Sequence, residues 1–382
     1  MNAGRASAPA IGRFLILAAK AERTASEQAE LRQIVDQHGI DASREASRKA
    51  HVEAVAADAL WRDVPECRSA LSEFRARNEH RVGRLQAALR EVTSELPGID
   101  WCAIEGAAVL LGGLLPAAAY SSGDLDFVFS RGAMPAIRQA FARCGFVSAD
   151  RRGRPTTRVE FRRGTGADAI WLEAGDEPFD RMWVPLSFSV NTAPWLARRV
   201  PSRVDPGLYV LDPTDTLFMC LLHASMHSFV RPPGLRLYAE IDRAARATML
   251  DWNRLLREAR DSGAATRIST AMEMAANLMG TPFPDDVREA RRPSRLTGNA
   301  LGWLLARDGG VTSPGPKLGV VSTIALDWLL DDRSSARWVS GVLFPPTPWL
   351  AAHFGATVNG GRAPWKLHAR RISAAFSRWR PE

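Results

Sequence analysis

Cysteine, lysine and long apolar runs are all scarce in this chain of 382 residues. Cys67, Cys102, Cys144 and Cys220 stand far apart with no C-x-x-C pair, which excludes a disulfide scaffold and a clustered zinc site. Each lies in helix- or strand-like sequence, where a free thiol behaves as a small buried hydrophobe, and reduced thiols fit the cytoplasm. No apolar run approaches the ~20 residues of a membrane helix. The longest, Ala107 to Tyr120, is broken by Gly112, Gly113 and Pro116. Near the N-terminus, Phe14 to Ala19 is too short for a secretory signal and runs into Lys20, Glu22 and Arg23. The expectation is a soluble, cytoplasmic protein with no membrane partner.

The shortage of lysine is sharper. Of 50 basic residues only Lys20, Lys49, Lys317 and Lys366 are lysines, so the net charge of +8 rests on arginine. That skew fits the codon bias of a GC-rich, bacterial genome. The arginines are dispersed, with no block of five or six like charges. Stretches such as Arg151-Arg152-Gly153-Arg154 read as solvated faces and give no indication of a nucleic-acid partner. Anionic phosphates remain reasonable ligands. Twenty-nine glycines and 24 prolines follow no Gly-X-Y period, which removes collagen.

What is present has a clear order. From Ser26 to about Leu96 apolar residues recur at helical spacing, most regularly Val82, Leu85, Leu89, Val92 and Leu96, and Pro97-Gly98 ends the run. Ile99 to Ile104 then reads as a short buried strand, and Gly106 opens an apolar helix. Asp124 to Phe129 alternates like a strand, Gly132 to Cys144 is helical, and Thr156 to Arg162 and Asp168 to Glu173 are strand-like around a turn at Gly164 to Gly166. Helices return after Asp212, an N-cap followed by Pro213 at the first helical position. They are expected at Thr214 to Phe229, from about Asp251 and at Thr266 to Leu278. The tail offers Val320 to Leu330, a break at Phe344-Pro345-Pro346 and a basic amphipathic end from Trp365 to Trp379. These patterns divide the chain into a helical region 1–96, an α+β core 97–205 and a helical region 206–382.

Chemistry concentrates at Asp124-Leu125-Asp126. On a strand, residues i and i+2 face the same way, so both carboxylates project from one surface. Two adjacent carboxylates repel, and a divalent cation relieves the repulsion; Mg²⁺ prefers one or two carboxylates plus substrate phosphates. Gly106, at the mouth of the preceding helix, would let backbone approach a phosphate. The competing reading is an exposed Asp pair in a solvated turn. His223 and His227 share a helix face, but Ala224 replaces the Glu of H-E-x-x-H and no third zinc ligand is evident. A structural pair, or contact with a ligand, are the two readings. Asp242 could orient one imidazole or pair with Arg243 or Arg246.

These segments resemble the uncharacterised nucleotidyltransferases of the DNA polymerase β superfamily. Members carry K-G-x-x-L, a Tyr-Pro turn, an Arg and then G-D-[IL]-D. Here the matching stretches are Ile104-Glu105-Gly106-Ala107-Ala108-Val109-Leu110 and Tyr120-Ser121-Ser122-Gly123-Asp124-Leu125-Asp126-Phe127-Val128. The likeness continues through Leu221 to Phe229, Leu235-Arg236-Leu237-Tyr238-Ala239-Glu240-Ile241-Asp242, Leu250 to Leu256 and Leu343-Phe344-Pro345. Two departures stand out: Glu105 replaces the family's lysine, and serine stands at 121 and 122 where its arginine is expected.

The resemblance implies a polymerase β-like core, a mixed sheet with helices, flanked by helical segments. It implies a nucleoside triphosphate as substrate and two Mg²⁺ ions on Asp124, Asp126 and a third carboxylate from a later strand. Glu173 ranks first for that role, Asp168 second and Glu160 third. Gly106, Ala107, Ser121, Ser122 and Gly123 would contact the nucleotide, with Glu105, His223, His227 and Asp242 around them. The activity implied is transfer of a nucleoside monophosphate to a hydroxyl of a small molecule, peptide or protein, as in a tailoring enzyme. Two alternatives stay open: a D-x-D glycosyltransferase using a sugar nucleotide, and a pseudoenzyme that binds a nucleotide or peptide without turnover because Glu105, Ser121 and Ser122 remove positive charge.

Overall fold

A computed structural model describes residues 8–149, 158–179, 188–230 and 233–289, together with isolated positions at 298–299, 328–330, 332, 367 and 369. Five helices come first: α1 (Ala8–Ala19), α2 (Ala25–His38), α3 (Ile40–Lys49), α4 (Glu53–Asp63) and α5 (Arg68–Ser94). The start of α2 is set by a capping box. Thr24 Oγ1 accepts from the Glu27 N–H and the Glu27 carboxylate accepts from the Thr24 N–H, which satisfies two of the donors that a helix start leaves open. The expected stripe from Val82 to Val92 forms the buried side of the last turns of α5.

The middle of the chain supplies β1 (Trp101–Ala103), α6 (Glu105–Leu111), β2 (Asp124–Phe129), α7 (Met134–Arg143), β3 (Val147–Ser148), β4 (Arg158–Arg163) and β5 (Ile170–Gly175). Then come α8 (Ala193–Arg198), β6 (Val200–Pro201), β7 (Tyr209–Val210), α9 (Pro213–Met226), α10 (Leu235–Ala245), α11 (Trp252–Ser262), α12 (Ala265–Met279) and α13 (Asp285–Glu289). Asp212 caps α9 by accepting from the Asp215 N–H at 2.9 Å. Gly263 and Gly280 end α11 and α12 in the left-handed conformation that glycine adopts without strain.

The seven strands form one mixed sheet in the order β3-β4-β5-β2-β1-β7-β6. β2 runs antiparallel to β1 and parallel to β5, so the strand with the Asp pair sits centrally, flanked on both sides. Its first four residues alternate: Leu125 and Phe127 are fully buried, while Asp124 and Asp126 point the other way and keep partial exposure. The Leu125 face rests on an aromatic stack in which Phe141 of α7 lies parallel to Phe127 at 6.0 Å and to Phe161 of β4 at 3.7 Å. Such ring pairs add about 0.5–1.5 kcal/mol each beyond the area they bury. α6 lies against β1 and β2, and α9 and α10 pack on α6.

The fold is α+β, as the pattern of strands and helices predicts. The two-residue strands β3, β6 and β7 were not expected, because two residues carry no periodicity. Thr156 and Thr157 lie outside the described residues, as do the Val320 to Leu330 segment except for its last three residues, the Phe344-Pro345-Pro346 break, the Leu343-Phe344-Pro345 likeness and all but Leu367 and Ala369 of the Trp365 to Trp379 segment. Among the described residues no helix is long and apolar enough to cross a membrane.

Candidate active site

The loop entering β2 is held from outside itself. Asn78 Nδ2 on α5 donates to the carbonyls of Ala117, Ala118 and Tyr120, and the Arg81 guanidinium donates to those of Tyr120 at 2.8 Å and Ser122 at 2.5 Å. Tyr120 is buried, and its hydroxyl donates to the Asp124 carbonyl at 2.7 Å. Ser122 Oγ donates to Asp124 Oδ1 at 2.5 Å, which fixes the first carboxylate. Ser121 Oγ is buried with no hydrogen-bond partner, and Gly123 is exposed. Of the expected loop contacts, Ser122 touches Asp124 itself.

The second carboxylate has a different neighbour. Asp126 pairs in register with Glu173 on β5, and Glu173 pairs with Glu160 on β4, so all three point to one face. Arg158, two residues before Glu160, shares that face and is 3% exposed. Its Nη2 donates to Asp126 Oδ1 at 2.8 Å, its Nε donates to Glu173 Oε1, and its Nη1 donates to the Pro178 carbonyl at 3.1 Å. Asp168 lies apart from this group, exposed at the surface and paired with Arg84 of α5 at 2.9 Å.

Burial first, then Glu105, Asp124 and Glu173, push the Asp126 carboxyl well above its ordinary value, with Arg158 opposing. Burial pulls the Arg158 guanidinium down, but Glu173, Asp126 and Glu105 more than restore it.

A third wall comes from α6, α9 and α10. Glu105 has φ +54, a left-handed conformation that costs a side-chain-bearing residue of order 1–3 kcal/mol and is most often found at functional positions. Its Oε2 lies 3.1 Å from His223 Nδ1, off the line of a hydrogen bond. Burial, then Glu173, Glu240 and Asp124, raise Glu105 to about 8 against the pull of Arg158. Burial, then His227, Arg236 and Arg158, lower His223 well below its usual range. Near neutral pH this contact is therefore a carboxylic acid beside a neutral imidazole and not an ion pair. His223 and His227 lie edge to face at 4.9 Å.

Gly106 and Ala107 are buried, and Glu240 of α10 occupies the space in front of Gly106; a Cβ there would meet Glu240 Oε1 at 2.8 Å. What comes close at 106 is thus the end of a carboxylate side chain. Arg236, one turn before Glu240, has its Nε 3.5 Å from Glu240 Oε1, buried and without a hydrogen bond. Asp242, on the same helix, turns away. Its oxygens accept from the Ala21 N–H at 2.8 Å, from Thr281 Oγ1 at 3.0 Å and from Arg246 Nε at 3.2 Å, so it anchors the end of α1 and orients no imidazole.

The family described as uncharacterised nucleotidyltransferase matches residues 42–280, more than half of the chain and every side chain of this site. The chain belongs to that family. No curated protein and no solved structure matches it. It is a nucleotidyltransferase, which implies an NTP as substrate. Around the Asp pair Glu105, Asp124, Asp126, Glu173 and Glu240 outnumber Arg158 and Arg236. Among the described residues no three His, Cys, Asp or Glu side chains stand close enough to form a metal cage. Mg²⁺, however, is bound through one or two carboxylates and substrate phosphates more often than by an all-protein cage. The partly exposed Asp124 and Asp126, in a surplus of hard oxygen donors, fit that ion.

Reading only for carboxylates and glycines misses Arg158, Glu240, Asn78 and Arg81, and gives Arg236 no role. One signal was legible: on a strand through Glu160, period two puts Arg158 on the same face. The others depend on how α5 and α10 pack in the nucleotidyltransferase.

Glu105 also makes a pH prediction. The folded chain holds a proton here that an unfolded chain releases near the ordinary value of 4.5, so the group's contribution to stability is complete below pH 4.5 and is lost as pH rises through about 8. Glu105→Gln removes that loss. Between about pH 4.5 and pH 8 the Tm of the wild type should fall relative to that of the variant, and above pH 8 the difference should level off. A constant difference in Tm across the window would refute the assignment.

Proposed function

We propose that the enzyme transfers a nucleoside monophosphate from an NTP to a hydroxyl of a small-molecule, peptide or protein acceptor, in a Mg²⁺-dependent reaction, as a cytoplasmic tailoring enzyme. The observation that carries this reading is Asp124 and Asp126 side by side on β2, with Glu173 in register on β5, in a chain of the nucleotidyltransferase family. Asp124 and Asp126 would hold Mg²⁺, with Glu173 as the third carboxylate of the site. When bound, the ion neutralises phosphate charge and favours ionisation of the acceptor hydroxyl.

The chain's own groups do the rest. Ser122 fixes Asp124, while Asn78 and Arg81 fix the loop against which the nucleotide rests. Arg236, whose Nε lies 3.5 Å from Glu240 Oε1 without a hydrogen bond, would face the triphosphate in place of the basic residues absent at 105, 121 and 122. The acceptor oxygen attacks the α-phosphorus, the bond to the β-phosphate oxygen breaks, pyrophosphate leaves and the hydroxyl proton passes to water. In this reading residues 97–205 carry the reacting carboxylates, and the flanking regions 1–96 and 206–382 contribute Arg81 and Arg236.

Calorimetric titration of ATP, GTP, CTP and UTP, each with and without Mg²⁺, tests the reading. Mg²⁺-dependent binding of at least one is expected. Binding indifferent to Mg²⁺ would favour a pseudoenzyme, and consumption of a sugar nucleotide without pyrophosphate would favour the glycosyltransferase alternative. Arg81→Ala frees the carbonyls of Tyr120 and Ser122 from a charged donor, an interaction worth about 1.5–3 kcal/mol, so the Kd for the nucleotide should rise roughly tenfold or more. An unaltered Kd in a folded variant would remove the loop from the binding site.

A further inference from the structure

We propose that Arg158 is a built-in cation standing in for one of the two divalent ions, so that the site takes a single metal, on Asp124 and Asp126. The proposal rests on the metal-dependent reading above. A two-metal clamp holds its ions ~3.5–4 Å apart between shared carboxylates. In this sheet the shared position lies between Asp126 and Glu173, which are register partners on adjacent strands. The guanidinium of Arg158 fills it. Nη2 donates to Asp126 Oδ1 at 2.8 Å, Nε donates to Glu173 Oε1, and Nη1 donates to the carbonyls of Pro178 at 3.1 Å and Glu177 at 3.4 Å.

All three guanidinium nitrogens are engaged, and the side chain is 3% exposed, with both of its carboxylates partly buried. The planar fork suits two neighbouring carboxylates, and the charge does not leave by deprotonation. A metal ion bridging Asp126 and Glu173 would strand a buried guanidinium without its anions, the arrangement that makes breaking a buried pair so unfavourable. Asp124 is in the opposite situation. Among the described residues its carboxylate accepts from the neutral Ser122 hydroxyl alone, and both Asp124 and Asp126 keep access to solvent. A cation is therefore accepted at the Asp pair and refused at Glu173. The arginine supplies there one fixed positive charge, with donors in place of a coordination sphere.

Counting Mn²⁺ on the full chain tests this, with the metal alone as probe: free Mn²⁺ is read by electron paramagnetic resonance during titration of wild type, Asp124→Asn, Arg158→Gln and Glu173→Gln. One ion per chain is expected for the wild type, none for Asp124→Asn and two for Arg158→Gln. Glu173→Gln covers the case in which Arg158→Gln does not fold: its stoichiometry should stay at one ion, because Glu173 serves Arg158 and not the metal. Two ions on the wild type, or complete loss in Glu173→Gln, would overturn the assignment of Arg158 and leave the metal-dependent reading standing. No Mn²⁺ on the wild type or on Arg158→Gln would overturn both.

Discussion

Asp124→Asn is expected to lower kcat/KM for pyrophosphate release by about a thousandfold or more while leaving the fold intact. Each tenfold in rate is about 1.4 kcal/mol, and the electrostatic help of a metal on a phosphoryl group is worth several kcal/mol, so losing one of its two carboxylates accounts for a drop of that size. Asparagine has the shape of aspartate and keeps a side-chain oxygen to accept from Ser122, which now donates to Asp124 Oδ1 at 2.5 Å. The backbone support is also untouched, since the Tyr120 hydroxyl reaches the Asp124 carbonyl and not its carboxylate. Steady-state kinetics with the NTP that binds best, beside thermal melts, separates the two effects. A variant with near-normal kcat/KM would exclude Asp124 from the reaction. Asp126→Asn is a less clean experiment, because Asp126 also balances the buried Arg158.

That contrast between two carboxylates on one strand shows what the sequence could and could not convey. Alternation from Asp124 to Phe127 is a local property, and it sets both carboxylates on one face whatever the strand pairs with. The cap at Asp212 and the strand expected at Asp168 to Glu173, which runs from Ile170 to Gly175, were legible for the same reason: each depends on residues within one element. Glu173 was reachable through the resemblance, which asks for a third carboxylate on a later strand, and the register of β5 sets it beside Asp126. Gly106 was read as room for a phosphate, whereas the room is taken by Glu240, more than a hundred residues away. Nothing near position 106 announces that carboxylate. Arg81 reaches Ser122 across 41 positions, and His223 reaches Glu105 only because α9 packs on α6. The local signals gave the candidate carboxylates; the groups that tune their charge arrive through tertiary packing, which no spacing rule encodes.

Asp242→Ala is expected to cost about 3–5 kcal/mol of stability, a large share of the roughly 5–15 kcal/mol that holds a typical domain together. Asp242 is fully buried, and it ties two distant parts of the chain to α10, the Ala21 N–H just beyond α1 and the Thr281 hydroxyl just beyond α12, besides pairing with Arg246 at the end of α10 itself. Truncation removes the acceptor and leaves a buried N–H and a buried hydroxyl short of partners, each costing about 1–3 kcal/mol if nothing replaces the bond, while the partly exposed Arg246 keeps Glu22 at 2.6 Å. These losses overlap, because the ends of α1 and α12 can relax once freed, so the total falls below their sum. The neighbouring link from Arg243 to the Ala19 carbonyl at 2.9 Å should limit the damage to a local loosening of α1 at moderate denaturant. Urea titration should show a lower midpoint, and hydrogen exchange should show the largest loss of protection in α1 (Ala8–Ala19). A kinetic defect at undiminished stability would instead make Asp242 a partner of the imidazoles. The distinction bears on the site as well as on the fold, because α10 also presents Glu240 to Gly106 and Arg236 to the carboxylate cluster. An anchor that holds α1 against α10 therefore also fixes the wall carrying the charge that Glu105, Ser121 and Ser122 do not supply.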